Sequence, residues 1–235
     1  MKKFGKELLA VVLVLTAILG SVSLASADTS AKTVLTGWDG NNYQYVLFGD
    51  YESGSSLSEG ILWRVLGTTS ERALLMSEYI LATRPFDEKN SDWGKSDINK
   101  WLNGSFLKTA FASRDDYDAL YNNNELGRVF LLSKGDLQNE QYGFSRDENY
   151  FDDRRRSAGI YDAINGQIWE ATDDNSSYYT RTSQGKEVLY QIRSNGSIGI
   201  ARIDRKNVGI RPAIAIILDR VSFSAGDGTI GNPFR

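Results

Sequence analysis

The 235-residue chain contains no histidine and no cysteine, and only three prolines. Each absence removes something. Without histidine there is no Ser-His-Asp or Cys-His machinery and no histidine-bound zinc. Without cysteine there is no thiol nucleophile, no disulfide scaffold and no lipid attached through a cysteine at an export signal. Positive charge is also short: 27 Lys and Arg stand against 30 Asp and Glu, for a formal net charge of −3. An acidic chain lacks the field that nucleic acid and anionic lipid require, so neither is an expected primary partner. The one compact basic run, Arg154-Arg155-Arg156, follows Asp152-Asp153 and reads as a mixed, solvated turn.

What the chain does have begins at its N-terminus. Lys2, Lys3 and Lys6 precede an apolar stretch from Leu8 to Gly20, and Ala25-Ser26-Ala27 offers small residues for cleavage. These three features read as a secretory signal over residues 1–27, cut between Ala27 and Asp28. The alternative, a membrane anchor, is disfavoured because the stretch is marginal in length, diluted by serine and followed by no basic stop-transfer cluster. The expected product is residues 28–235, a single secreted domain not inserted in the membrane. Loss of three lysines and one glutamate takes its formal charge from −3 to −5. A domain of this size buries roughly 70% of its unfolded surface and needs no disulfide or metal to fold.

Short runs rich in β-branched and aromatic residues predict strands at Tyr43–Phe48, Ile61–Leu66, Ala73–Met76, Val129–Leu132, Val188–Ile192, Ile198–Ile203 and Val208–Leu218. Asn195-Gly196 predicts a two-residue hairpin turn between two of them. Ser96–Phe111 predicts a helix capped by Ser96, with Ile98, Trp101 and Leu102 on one face and a stop at Gly104. A second short helical segment follows from Phe106, and Asp115–Leu120 predicts a third. Loops span 84–95 and 138–187. The sum is an α+β fold.

Several ordered motifs carry a resemblance. Phe48-Gly49-Asp50-Tyr51 and Trp63-Arg64-Val65-Leu66 form the first pair. Trp93, Ser96, Ile98, Asn99, Trp101, Leu102, Asn103 and Phe106 match a W-x-x-S-x-[IL]-[RN]-x-W-L-N-x-x-F pattern. Phe130-Leu131-Leu132-Ser133, a degraded Tyr178-Tyr179-Thr180-Arg181-Thr182 and a well-kept Gly209-Ile210-Arg211-Pro212-Ala213 follow, then Gly226-Asp227-Gly228-Thr229 and Asn232-Pro233-Phe234. This order, over roughly residues 43–235, resembles a family of bacterial secreted domains of unknown function. That family in turn resembles C-type-lectin-like domains, the fold shared with formylglycine-generating enzymes. The resemblance implies mixed strands, one or two helices and a loop-rich second half. It implies no reaction, and the cysteine chemistry of the oxidase branch is absent here. The residues themselves favour packing roles for Trp93, Trp101 and Phe106, and carboxylate pairing for Arg181 and Arg211. Asn99 and Asn103 are expected to satisfy backbone groups.

Carboxylate chemistry survives the exclusions. Glu125, Asp136, Glu140, Asp147, Glu148, Glu170 and Glu187 are available, although none stands in a diagnostic motif. Calcium is a weak expectation: Asp173, Asn175 and Ser177 imitate a calcium loop whose glycine and bidentate glutamate positions are Tyr178 and Gln184. A looser site at Asp173-Asp174-Asn175 stays open; otherwise no cofactor is expected. Trp169, Tyr178 and Tyr179 bracket that acidic turn and are the expected ligand platform. The expectation is therefore a secreted, non-catalytic binding or adhesion module for an extracellular glycan, cell wall or protein. A carboxylate-dependent envelope hydrolase and a structural surface protein are the alternatives.

Overall fold

Short, β-branched runs punctuated by glycine become strands arranged in two five-stranded sheets in the computed structural model. It describes residues 34–50, 60–149, 155–162, 167–169 and 176–235, with Asp162 and Gln167–Trp169 as backbone only. Contacts separate Met1–Lys32, outside the described residues, from a unit Thr33–Arg235. No helix among the described residues is long and apolar enough to cross a membrane.

The first sheet contains β1 (Tyr45–Phe48), β2 (Ile61–Thr68), β3 (Arg72–Ser77), β5 (Val129–Leu131) and β12 (Pro212–Ile217), in the order β1-β2-β3-β12-β5. All its pairings are antiparallel. The second contains β4 (Ala82–Thr83), β8 (Tyr178–Gly185), β9 (Val188–Ile192), β10 (Ile198–Arg202) and β11 (Gly209–Ile210), in the order β10-β9-β8-β11-β4. A hairpin of β6 (Ile160–Asp162) and β7 (Gln167–Trp169) completes the strands. The architecture is α+β, as the sequence predicts.

The predicted Val208–Leu218 strand is divided, and the reason is Arg211. Gly209 and Ile210 pair with β4 in the second sheet, while Pro212 onward pairs with β3 and β5 in the first. Arg211 stands at the crossing and is 1% exposed. Proline is tolerated at 212 because it opens its strand segment, where a missing N–H costs least. The sheets join again where Arg181 N–H of β8 donates to Leu132 O just beyond β5.

Ser96 caps α1 (Asp97–Trp101) as predicted, accepting from Asn99 N–H at 3.1 Å. Gly104 does not end the helix. The backbone passes through a π-helical turn, Leu102–Phe106, into α2 (Leu107–Ala110), which keeps Leu102, Phe106, Leu107 and Ala110 buried. Asn103 at this turn reaches β5: its Nδ2 donates to Val129 O and its Oδ1 accepts from Arg128 and Val129 N–H. The third helix, α3 (Arg114–Ala119), is capped by Ser113. Two further corrections concern connections. The Asn195-Gly196 hairpin holds three residues rather than two, because Arg193 N–H pairs with Ser197 O and Gly196 takes a left-handed conformation at φ 81. The predicted 138–187 loop contains β6, β7 and most of β8. The polar residues Ser176, Thr180 and Ser183 mask the strand pattern there.

Candidate functional site

The platform expected around residues 169–179 is not formed by Tyr178 and Tyr179. Both rings are core, 2% and 1% exposed. Tyr178 Oη donates to Arg156 O at 2.7 Å and Tyr179 Oη to Arg202 O at 2.6 Å. Burial raises both phenol pKa values. Neutral, internally bonded rings inside a sheet junction pack the fold and present no face to a ligand. Trp169 lies in β7, where only its backbone is described, and Asp173, Asp174 and Asn175 lie outside the described residues. Among the described residues no group of His, Cys, Asp or Glu could hold a metal ion.

A different aromatic surface is present, on the first sheet. Trp38, Tyr142, Tyr121 and Phe130 line a groove of about 680 Å³ together with Thr68, Thr69, Asn123, Gln141 and Arg72. Trp38 also borders a second recess of about 420 Å³, lined by Asn41, Asn42, Tyr43, Tyr45 and Arg155 among others. Its ring is therefore the ridge between two lobes.

The backbone explains why the rings lie where they do. Strand β2 is irregular between Val65 and Gly67, and a Cβ on Gly67 would come within 2.9 Å of the Tyr142 ring. Glycine there lets the ring settle directly on the sheet. Gly143, at φ 80, ends the turn Glu140–Tyr142 in the left-handed region and allows Tyr43 and Trp38 to close over it. Trp38 and Tyr43 stack at 4.6 Å, and Tyr43 Oη donates to Tyr142 O at 2.7 Å. Asp39 turns the chain between them by accepting from Asn41 and Asn42 N–H, bonds that lower its pKa. Burial raises the pKa of Tyr142 and Tyr45, so both line the lobes as neutral hydroxyls at pH 7.

Charges elsewhere are largely engaged. Glu78 grips Arg64 through two hydrogen bonds of 2.8 and 2.7 Å. Burial opposes the Arg64 charge, but Glu78 more than offsets it and raises the guanidinium pKa. Asp136 pairs with Arg181, Glu148 with Lys134, Glu140 with Arg146 and Glu187 with Arg202. The sequence-level candidates are thus dispersed over ion pairs and not gathered as a catalytic couple.

One acidic recess stands apart. A groove of about 980 Å³ is lined by Asp115, Asp116, Asp118, Phe48, Arg220 and Phe223 among others. Burial, and then the Asp115 charge, raise the Asp116 pKa above its ordinary 3.8. A carboxyl with a raised folded-state pKa holds its proton more tightly folded than unfolded, so stability falls as pH rises from about 4 through that value. Asp116→Asn is therefore expected to raise the Tm at pH 7 slightly and leave it unchanged at pH 3. A lower Tm at pH 7, read by calorimetry, would contradict this.

Sequence reasoning missed Trp38, Tyr121, Tyr142 and Arg72. Trp38-Asp39-Gly40-Asn41-Asn42, an aromatic ring beside an aspartate-led turn, was the available local signal. Nothing local ties that turn to Tyr142 or Tyr121, which only the folded sheet brings to it. No protein-family profile, curated protein or solved structure matches the chain.

Proposed function

We propose that this protein is a secreted, non-catalytic binding module that holds an extracellular glycan or cell-wall polymer in the Trp38–Tyr121 groove. The observation that carries the reading is the groove's lining: aromatic rings beside amide and hydroxyl side chains, with no carboxylate among its described lining residues. Aromatic faces bury the C–H faces of sugar rings, and amides and hydroxyls bond their hydroxyls. The Lys2 to Ala27 signal supports export. Mixed sheets, short helices and the sheet-crossing Gly209-Ile210-Arg211-Pro212-Ala213 segment are in keeping with a C-type-lectin-like domain of the secreted family named above.

The test is affinity electrophoresis against a panel of soluble polysaccharides and cell-wall fragments, with and without a calcium chelator. Binding is expected, and Trp38→Ala and Tyr121→Ala are each expected to weaken it about tenfold or more while leaving the circular dichroism unchanged. Full affinity in both variants would overturn the reading.

A second reading has its own observation, the raised Asp116 beside Asp115 in the acidic recess. A protonated carboxyl next to an ionised one is the pairing a glycan hydrolase uses. Release of reducing ends from a panel polysaccharide, lost in Asp116→Asn, would favour it.

A further inference from the structure

We infer that the groove selects a polysaccharide bearing carboxylates, and that Arg72 is the residue that meets the acid group. This deepens the glycan-binding reading and rests on it. Arg72 opens β3 and lines the groove, its guanidinium carbon 4.1 Å from the Tyr121 ring centroid. Stacking on the ring fixes the plane of the fork and leaves its edge N–H groups for a planar acceptor, the arrangement that suits bidentate carboxylate recognition.

Charge complementarity points the same way. The chain is acidic overall, yet the charged side chains lining the two lobes, among the described residues, are Arg64, Arg72 and Arg155. Arg64 is neutralised by Glu78 at 2.7 Å. Arg72 meets a carboxylate only at Glu71, 3.8 Å away on a side chain 76% exposed, an arrangement worth little in water. The nearby acids Asp39 and Glu140 are turned to other partners, Asp39 to the N–H groups of Asn41 and Asn42 and Glu140 to Arg146. The groove thus offers ring faces for sugars and a stacked, weakly paired guanidinium for an anion. A neutral glycan would leave that guanidinium unused.

The experiment is isothermal titration of the full chain with oligogalacturonate and hyaluronan oligosaccharides, each beside its methyl-esterified form, which keeps the rings and removes the charge. At least one acidic probe is expected to bind about tenfold or more tightly than its ester, a preference lost in Arg72→Gln. Glu71→Gln, which frees the guanidinium, is expected to tighten the acidic probe about twofold and leave the ester unchanged. Equal affinity for acid and ester overturns the inference and leaves the glycan reading standing. Competition by oligoglutamate of matched charge overturns it in favour of an acidic peptide. Silence from every acid and ester removes this ligand class, and if the wider polysaccharide panel is also silent the glycan reading falls with it.

Discussion

Arg211→Ala is expected to lower stability by about 3–5 kcal/mol, a fall in Tm on the order of 10 °C for a domain of this length. The guanidinium is the knot of the sheet crossing. Its Nε donates to Ser77 O at 2.8 Å, Nη2 to Glu78 O at 3.1 Å, and Nη1 to Arg156 O at 3.0 Å. Tyr178 Oη stands 3.3 Å from the same Nη1. These groups come from the end of β3, the 155–157 segment and β8, so one side chain joins three parts of the chain. Removing it strands buried carbonyls, each costing about 1–3 kcal/mol if nothing replaces the donor. Methionine at 211 separates the causes, since it restores bulk without donors. Arg211→Met should unfold nearly as early as Arg211→Ala if the hydrogen bonds dominate. A Tm within 2 °C of the parent for either variant would show that the crossing does not depend on this residue.

Gly143→Ala is expected to cost about 2–4 kcal/mol and to weaken glycan binding, although residue 143 does not line the groove. Its φ of 80 disfavours any side chain with a Cβ. The added methyl would also overlap Tyr43 Oη and come within 2.8 Å of Trp38 Cδ2. The rings cannot both keep their places, so the ridge between the two lobes must move. Chemical denaturation reads the first effect and titration with the bound polysaccharide reads the second. Lost stability with unchanged affinity would mean that the Trp38–Tyr43 pair supports the fold and not the site.

Much of the fold was legible because its signals are local. Val188–Ile192 is a strand to the residue, and Ser96 caps its helix, since alternation and capping act over a few neighbours. Arg181 pairs with Asp136, as its place on a strand predicted. Arg211 differs: its closest partners are backbone carbonyls, and the Glu78 carboxylate lies at 4.0 Å. No sequence pattern marks carbonyls that meet only when two sheets join. The helix through Gly104 was misread because burial of Phe106 and Leu107 outweighs the weak propensity of one glycine.

The site was the least legible part. Tyr178 and Tyr179 resemble a ligand platform in a segment read as loop, but they belong to a buried strand, and their hydroxyls satisfy carbonyls inside the fold. The groove aromatics are set by long-range geometry. Tyr142 rests on Gly67, Tyr43 bonds Tyr142 O across 99 positions, and Tyr121 N–H pairs with Ala215 O. A binding surface assembled from such distant pieces leaves no spacing for a sequence to display.

The most direct measurement is an NMR titration of the isotopically labelled protein with the tightest polysaccharide of the panel, following backbone amides and tryptophan indole N–H groups. Shift changes centred on the Trp38 indole and on the amides of Thr69, Arg72, Tyr121, Asn123 and Tyr142 are the predicted result. Changes confined to Asp115–Asp118 and Arg220–Phe223, with the Trp38 groove silent, would contradict it.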